Sequence, residues 1–157
     1  MPIDSTKIQN PILKRIAEGD LSVVNDINEY SANITEYIHP HGELNPLAIA
    51  ANNGHIEVMN RLLAKNDDGS YEFPAVIQNI AAYNNSALRH ASENGHIELV
   101  NRLLSKKDDG SYEFPEVIQN IAVLDNCALC EAAENGHIEV MNRLLAKNDD
   151  GSYEFPS

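Results

Sequence analysis

Three near-identical segments follow one another along this chain, and the repetition dictates its architecture. The segment NGHIEVMNRLLAKNDDGSYEFP occurs twice without a change and once as a near copy, at residues 53–74, 135–156 and 94–115. Equivalent positions lie 41 residues apart, and a degenerate copy precedes them at residues 11–25. A unit this short cannot bury its apolar face alone, so the sequence predicts stacked units that form a solenoid.

Each unit is predicted to form two short helices. In the middle unit, the apolar residues of 86–94 and of 97–104 recur at helical spacing. Gly95 ends the first helix, because the left-handed conformation needed there is easiest without a Cβ. Glu98 falls in the first turn of the second helix, where a carboxylate suits the positive end of the dipole. The predicted fold class is therefore all-α.

These residues resemble the ankyrin repeat. Residues 45–58 read NPLAIAANNGHIEV, against a family core of TPLHxAAxxGH[LI]E[VI]VxxLL, and 86–100 and 127–140 match at the same positions. The resemblance covers about residues 10–157. It implies one ankyrin-like domain over 1–157, a solenoid of four helix-turn-helix repeats with short β-turn fingers. The repeats are expected at about 10–44, 45–85, 86–126 and 127–157, called units one to four below.

Two departures from the family pattern stand out. Only Pro46 keeps the family's proline, and the family's first histidine is replaced by Ala48, Arg89 and Cys130. The units are also longer than the usual 33 residues or so, a length that resembles the ankyrin proteins of intracellular bacteria. The surplus is an inserted turn after each second helix, at residues 65–73, 106–114 and 147–155.

The insert contains a turn signal, Asp68-Gly69, followed by the alternating residues 70–73, which predict a short strand. An alternative for the next residues is a short helix from Pro74 through Ile80, since proline suits the first helical position. Stacking would align the insert tyrosines, one above another on one side of the solenoid, each covering the end of its own helix pair. These are Tyr71, Tyr112 and Tyr153.

Composition excludes several classes of function. Lys and Arg number 11 against 24 Asp and Glu, a formal net charge of −13, which argues against nucleic acid and against an anionic membrane surface as partners. No apolar run reaches the length of a transmembrane helix. No signal peptide is visible, so the default compartment is a reducing cytoplasm; secretion into a host cell by another signal would not show in this test.

The reactive motifs favour structural explanations. Cys127-Ala-Leu-Cys130 has the spacing of a redox pair or half a metal site, but no second pair accompanies it. The Asp-Asp-Gly turns lack the ligand positions of an EF-hand loop. One histidine per repeat is expected to cap a turn rather than bind metal: His55, His96 and His137. We predict no catalytic residue, no metal site and no cofactor, and hence no enzyme.

The resemblance implies binding of other proteins through the fingers and the exposed side of the first helix. The copies differ most in these segments, at 40–44, 81–85 and 122–126, although exposed loops also drift without function. Tyr83 is the best single anchor, because aromatic side chains supply contact area at low entropic cost. The candidate protein-binding residues are His41, Leu44, Ile49, Asn52, Tyr83, Asn85, His90, Glu93, Leu124, Asn126, Glu131 and Glu134.

The sequence thus predicts a protein-interaction module whose partner has a basic surface, with a bacterial protein acting on a host partner as one version. The alternatives are a truncated scaffolding or regulatory part of a larger protein, and an enzyme, which no motif supports. The second helix of unit four carries the same apolar stripe as its sister helices, so self-association through this repeat is a further expectation.

Overall fold

The structure is a computed structural model that describes residues 2–28, 32 and 34–155, with the side chains of 123–126 excepted. Short 3-10 helices lie at Ser5–Lys7 and Leu21–Asn25. The two strands are β1 (Glu36–Ile38) and β2 (Gly42–Leu44). The α-helices of this part of the chain are α1 (Pro11–Ala17), α2 (Pro46–Asn53), α3 (Ile56–Leu62), α4 (Pro74–Gln78), α5 (Ala82–Glu93), α6 (Ile97–Leu103), α7 (Pro115–Gln119), α8 (Val123–Glu134) and α9 (Ile138–Leu144).

The helices form two layers of a solenoid. In the first layer α1 packs on α2, and α5 packs between α2 and α8. In the second layer α3 contacts the 3-10 helix Leu21–Asn25 on one side and α6 on the other, and α6 contacts α9. The apolar stripes predicted from the sequence face the space between the layers, where Leu62, Leu63, Leu103 and Leu104 are buried. The mostly helical, ankyrin-like fold is confirmed.

A glycine and a histidine join each unit to the next. Gly54 ends α2 with φ of 76°, and a Cβ there would lie 2.6 Å from Cε1 of His96 in the following unit. The His96 Nε2–H donates to the carbonyl oxygen of Asn52 at 3.0 Å. Equivalent bonds join His55 to the Ala17 carbonyl at 2.8 Å and His137 to the Glu93 carbonyl at 2.9 Å.

These bonds correct the prediction that the histidines cap turns. None of the three makes a side-chain cap hydrogen bond to its own helix within the described residues; each reaches back to the preceding unit instead. Carbonyl oxygens only accept hydrogen bonds, so each of these rings carries its proton on Nε2. The units are therefore linked by hydrogen bonds as well as by apolar packing.

The inserts stack on one another. The Tyr71 hydroxyl donates to Glu113 Oε1 at 3.3 Å, and the Tyr71 ring lies 6.2 Å from the Phe114 ring. Tyr112 repeats both contacts one unit later, with Glu154 at 3.0 Å and Phe155 at 6.0 Å. The predicted alignment of tyrosines is present. The expectation that each tyrosine covers its own helix pair is wrong for Tyr71 and Tyr112, because each of these two reaches the next insert.

The structure also decides between the two predictions for the insert and its exit. The predicted strand is wrong: only one isolated bridge forms in each described insert, as between Lys65 and Tyr71. The alternative helix is confirmed as α4, which begins at Pro74. The turn itself is closed by Asp68, whose carboxylate accepts from the Ser70 backbone N–H at 2.9 Å. Backbone bonds from the Asn66 N–H to the Ser70 carbonyl at 2.7 Å and from the Glu72 N–H to the Ala64 carbonyl at 2.9 Å flank the bridge, and the pairing in this described insert is too short to count as a strand.

The fingers are more varied than predicted. In unit one the finger is a β-hairpin in which Glu36 pairs with Leu44 and Ile38 with Gly42. Between units two and three the predicted β-turn finger is wrong, because α4 and a left-handed turn at residues 83–85 take its place. Proline fixes φ for the first turn of α4, and asparagine tolerates the left-handed conformation better than most residues. Unit one also forms a 3-10 helix where a second α-helix was expected.

We expect the backbone amides of 138–146 to exchange at least tenfold faster than those of 56–64, although the two sequences are identical. Ile138 is 68% exposed and Leu145 is 42% exposed, whereas Leu63 is 1% exposed. At about 25 cal/mol per Å² of apolar surface, the uncovered flank forfeits enough stabilisation to let α9 open locally. Hydrogen exchange on the dilute monomer measures this difference, and equal protection of both segments would contradict it.

Candidate functional site

The structure divides the predicted binding residues into three groups. His41, Tyr83, Glu93, Glu131 and Glu134 are exposed or half-buried. They lie on the β1–β2 hairpin, on the left-handed turn and on helices α5 and α8, which we call together the finger face. Five others are buried, and the side chains of Leu124 and Asn126 lie outside the described part of the chain.

Burial corrects the expectation that every candidate presents its side chain at the surface. Leu44 and Ile49 belong to the apolar core. The Asn85 amide donates to the Val117 carbonyl at 3.0 Å, and Asn52 Oδ1 accepts from the Ile3 backbone N–H at 3.1 Å. These four side chains support the finger face from beneath, the two apolar ones by packing in the core and the two asparagines through these bonds to the backbone. The fifth buried residue, His90, is described below.

Tyr83 is presented by an unusual piece of backbone. Tyr83, Asn84 and Asn85 are all left-handed, with φ between 56° and 59°. Arg89, one turn into the right-handed part of α5, holds this turn by donating to the Asn84 carbonyl at 2.8 Å and to the Tyr83 carbonyl at 3.1 Å. The Tyr83 side chain is left 44% exposed.

A small cavity lies beside this tyrosine. It has a volume of about 150 Å³ and is lined by Tyr83 together with Asn45, Pro46 and Val76. It is too small for a drug-sized ligand, whose pockets measure about 300–1,000 Å³. A single side chain of a protein partner fits such a volume, with Tyr83 as an aromatic neighbour.

Carboxylates give the finger face its charge. Glu93 on α5 and Glu134 on α8 occupy equivalent positions of successive units, and Glu131 lies one turn before Glu134. Glu131 accepts a weak hydrogen bond from the Cys127 thiol at 3.7 Å. The acidic character predicted from composition is therefore present on the candidate surface itself.

Cys127 and Cys130 are not joined in a disulfide. Burial raises the pKa of the Cys127 thiol, so a smaller fraction of it is the nucleophilic thiolate at neutral pH. Reactive cysteines have the opposite shift in pKa. The environment of Cys127 fits the structural explanation of this motif better than a redox pair.

Three of the candidates converge in a way that the sequence did not predict. His41, on the residue before β2, meets His90 and Glu93 of α5, and one potential ligand atom of each lies within 4.8 Å of the others. The rings of His41 and His90 meet edge to face at 5.7 Å. Burial lowers the pKa of His90 to about 4, and Glu93 opposes part of this shift. One sequence signal pointed here: His90 stands where the sister units have Ile49 and Glu131.

Among the described residues, no helix has the length and apolar content needed to cross a bilayer.

Comparison with known proteins agrees with the repeated geometry. No curated protein and no solved structure matches the chain significantly. The family model described as ankyrin repeats (3 copies) matches residues 12–113, which is 102 of the 157 residues. The matched span contains α1 except its first residue, all of α2 to α6, and both joints between units that involve His55 and His96. The chain therefore belongs to the ankyrin-repeat family.

Proposed function

We propose that this chain is a protein–protein interaction module that binds its partner through the finger face. Ankyrin arrays present extended concave surfaces suited to this task. The observation that carries the proposal is Tyr83, an exposed aromatic side chain at the rim of a small cavity, held on a left-handed turn by Arg89. Aromatic anchors beside a pocket are typical of the residues that dominate binding energy.

The contact residues of this proposal are the five accessible candidates. His41, Tyr83, Glu93, Glu131 and Glu134 touch the partner, and the five buried candidates keep them in place. Leu124 and Asn126 remain in the proposal on the sequence alone, because they occupy the unit-three positions of Tyr83 and Asn85. The four-unit division is part of the same proposal, in which all four units contribute to the binding surface.

We expect Tyr83→Asn to weaken partner binding at least tenfold while leaving the thermal stability unchanged. Asparagine keeps the left-handed turn, so the substitution removes the aromatic anchor without adding backbone strain. Tyr153→Asn is the matched control, because Tyr153 is also exposed but lies on an insert. The partner is first isolated by affinity capture with residues 1–157, and calorimetry then compares the three proteins. Equal affinity of all three would contradict the proposal.

We also propose a basic partner surface. The net charge of −13 and the carboxylates of the finger face both favour it. The association rate constant is expected to fall roughly tenfold between low and physiological salt, because electrostatic steering is screened. Stopped-flow measurements with Glu131→Gln/Glu134→Gln should show a shallower salt dependence. An acidic partner whose binding is indifferent to salt would count against this part.

We also propose a cellular location for the chain and self-association through unit four. The two cysteines, too few for a disulfide framework, support a cytoplasmic protein, and the 41-residue repeat supports a bacterial one that acts on a host partner. The apolar side chains exposed on unit four, Ile138 and Leu145, support self-association through that unit. Sedimentation equilibrium of the wild-type chain and of Leu145→Lys tests the latter, since the lysine would keep the chain monomeric at every concentration.

A further inference from the structure

The convergence of His41, His90 and Glu93 arises from the particular residues of units one and three, and not from the repeated sequence. His90 and Glu93 lie three residues apart on α5, whereas His41 comes from the hairpin of unit one. The equivalent positions in unit two are Ile49, which is completely buried, and Asn52. Stacking therefore does not require a histidine at this position of the repeat, because the unit-two copy holds an apolar side chain there.

The hydrogen bonding of His90 is internally inconsistent. The ring is 5% exposed, and its Nδ1 lies 3.1 Å from the Asn52 amide nitrogen and 3.2 Å from Glu93 Oε2. If Nδ1 accepts from Asn52, its lone pair also faces the carboxylate; if Nδ1–H donates to Glu93, it faces the amide donor. Among the described residues, Nε2 has no hydrogen-bond partner in either case.

A cation fits this arrangement because two imidazoles and one carboxylate offer electron pairs. Burial favours the protonated carboxyl of Glu93, but the positive N-terminus of the chain outweighs burial and lowers the Glu93 pKa, so a metal ion competes with this charge for the carboxylate. Two imidazoles and one carboxylate form a ligand set that zinc accepts, with a fourth position left for water or another group. Softer ions prefer thiolates, and calcium or magnesium prefer oxygen ligands alone. The nearest chemical match is therefore a divalent first-row metal ion.

We propose that His41, His90 and Glu93 form a zinc-binding site that fastens the hairpin of unit one to α5 of unit three. Zinc bonds of about 2.0–2.1 Å place tetrahedral donor atoms about 3.4 Å apart, against the 4.8 Å within which the three donors lie. His41 and Glu93 are only half-buried, so their side chains can move inward by the required distance. Binding draws the hairpin towards α5 and makes the finger face more rigid.

The site is tested by titrating chelator-treated, full-length protein with Zn²⁺ alone in a calorimeter. One equivalent is expected to bind with a dissociation constant of about 10 μM or lower, a free energy of binding typical of a specific site. Co²⁺ serves as a spectroscopic probe, because nitrogen and oxygen ligands in a tetrahedral site produce intense visible bands. Bound zinc should also raise the melting temperature, since it binds only the folded chain.

The variants use residues that the chain already carries at equivalent positions. His90→Ile copies Ile49 and Glu93→Asn copies Asn52, so both are expected to fold, and each should weaken zinc binding at least tenfold. His41→Ala should do the same from the other side of the site. His39→Ala is the matched control, an exposed histidine of the same hairpin that lies outside the cluster, and it should bind zinc as the wild type does.

Three results would overturn the proposal. One is the absence of zinc or cobalt binding by the wild-type chain. Another is binding that survives unchanged in His90→Ile and His41→Ala. The third is binding that disappears in Cys127→Ser/Cys130→Ser, which would place the metal at the thiols.

Discussion

Phe114→Ala is expected to lower the free energy of unfolding by about 3–5 kcal/mol, as for other fully buried phenylalanines. Phe114 is 2% exposed although it belongs to an insert. Its ring lies between the Tyr71 ring and the Arg102 guanidinium, whose carbon is 5.2 Å from the ring centroid. The truncation leaves a cavity at the junction of two units, which neighbouring helices cannot fill without moving.

Urea denaturation of the wild type and the variant measures this loss. Tyr153→Ala is the control, because Tyr153 belongs to the same segment of the repeat but is exposed. Its substitution should change the free energy of unfolding by no more than about 0.5 kcal/mol. If Phe114→Ala cost less than about 1 kcal/mol, the insert would be a surface addition rather than part of the core.

A large pH dependence of stability is expected from His90. Burial lowers its pKa in the folded chain to about 4, against about 6.5 for an exposed histidine. Above pH 6.5 the ring is neutral in both states, and its contribution to stability is fully present. Between pH 6.5 and 4 the unfolded chain binds a proton that the folded chain does not, so stability falls as pH falls. Below pH 4 the loss reaches about 3 kcal/mol.

The comparison with His90→Ile isolates this contribution from the many carboxylates that titrate in the same range. The difference in unfolding free energy between the two proteins, measured with chelator present, should change by about 3 kcal/mol between pH 7 and pH 4. Glu93, His41 and Arg89 face the ring and set its electrostatic surroundings. Parallel stability curves for the two proteins would show that His90 titrates in the folded chain as it does in the unfolded one.

The sequence predicted those features that depend on spacing within a unit. The stripes of α3, α6 and α9 follow from helical periodicity, and Gly54 ends its helix because of its own backbone freedom. It did not predict that Leu44 and Ile49 lie in the core, because positions that vary between copies are usually exposed. The residue type at position 49 differs from that of its counterpart in unit three for another reason. The counterpart, His90, contacts the ring of His41 in the β1–β2 hairpin.

The contacts between units were harder to predict. Tyr71 and Phe114, or His41 and His90, are more than 40 residues apart, and no local pattern shows which side chains meet after stacking. The left-handed turn at Tyr83 could not be predicted from the sequence either, because tyrosine seldom adopts that conformation. The hydrogen bonds from Arg89 that hold the turn are not evident from the sequence. Of the candidate site, the sequence indicated a set of residues on the fingers and first helices, while tertiary packing decided which of them are accessible.

Each joint consists of a glycine from one unit and a histidine from the next, and this restricts how such arrays can change in length. Each 41-residue segment carries one glycine that admits the next ring and one histidine that donates to the previous carbonyl. Duplicating or removing a whole segment therefore leaves every remaining joint complete, whereas a change of any other length separates a glycine from its histidine. Recombination between identical segments, such as 53–74 and 135–156, can alter the extent of the finger face without requiring a single new contact.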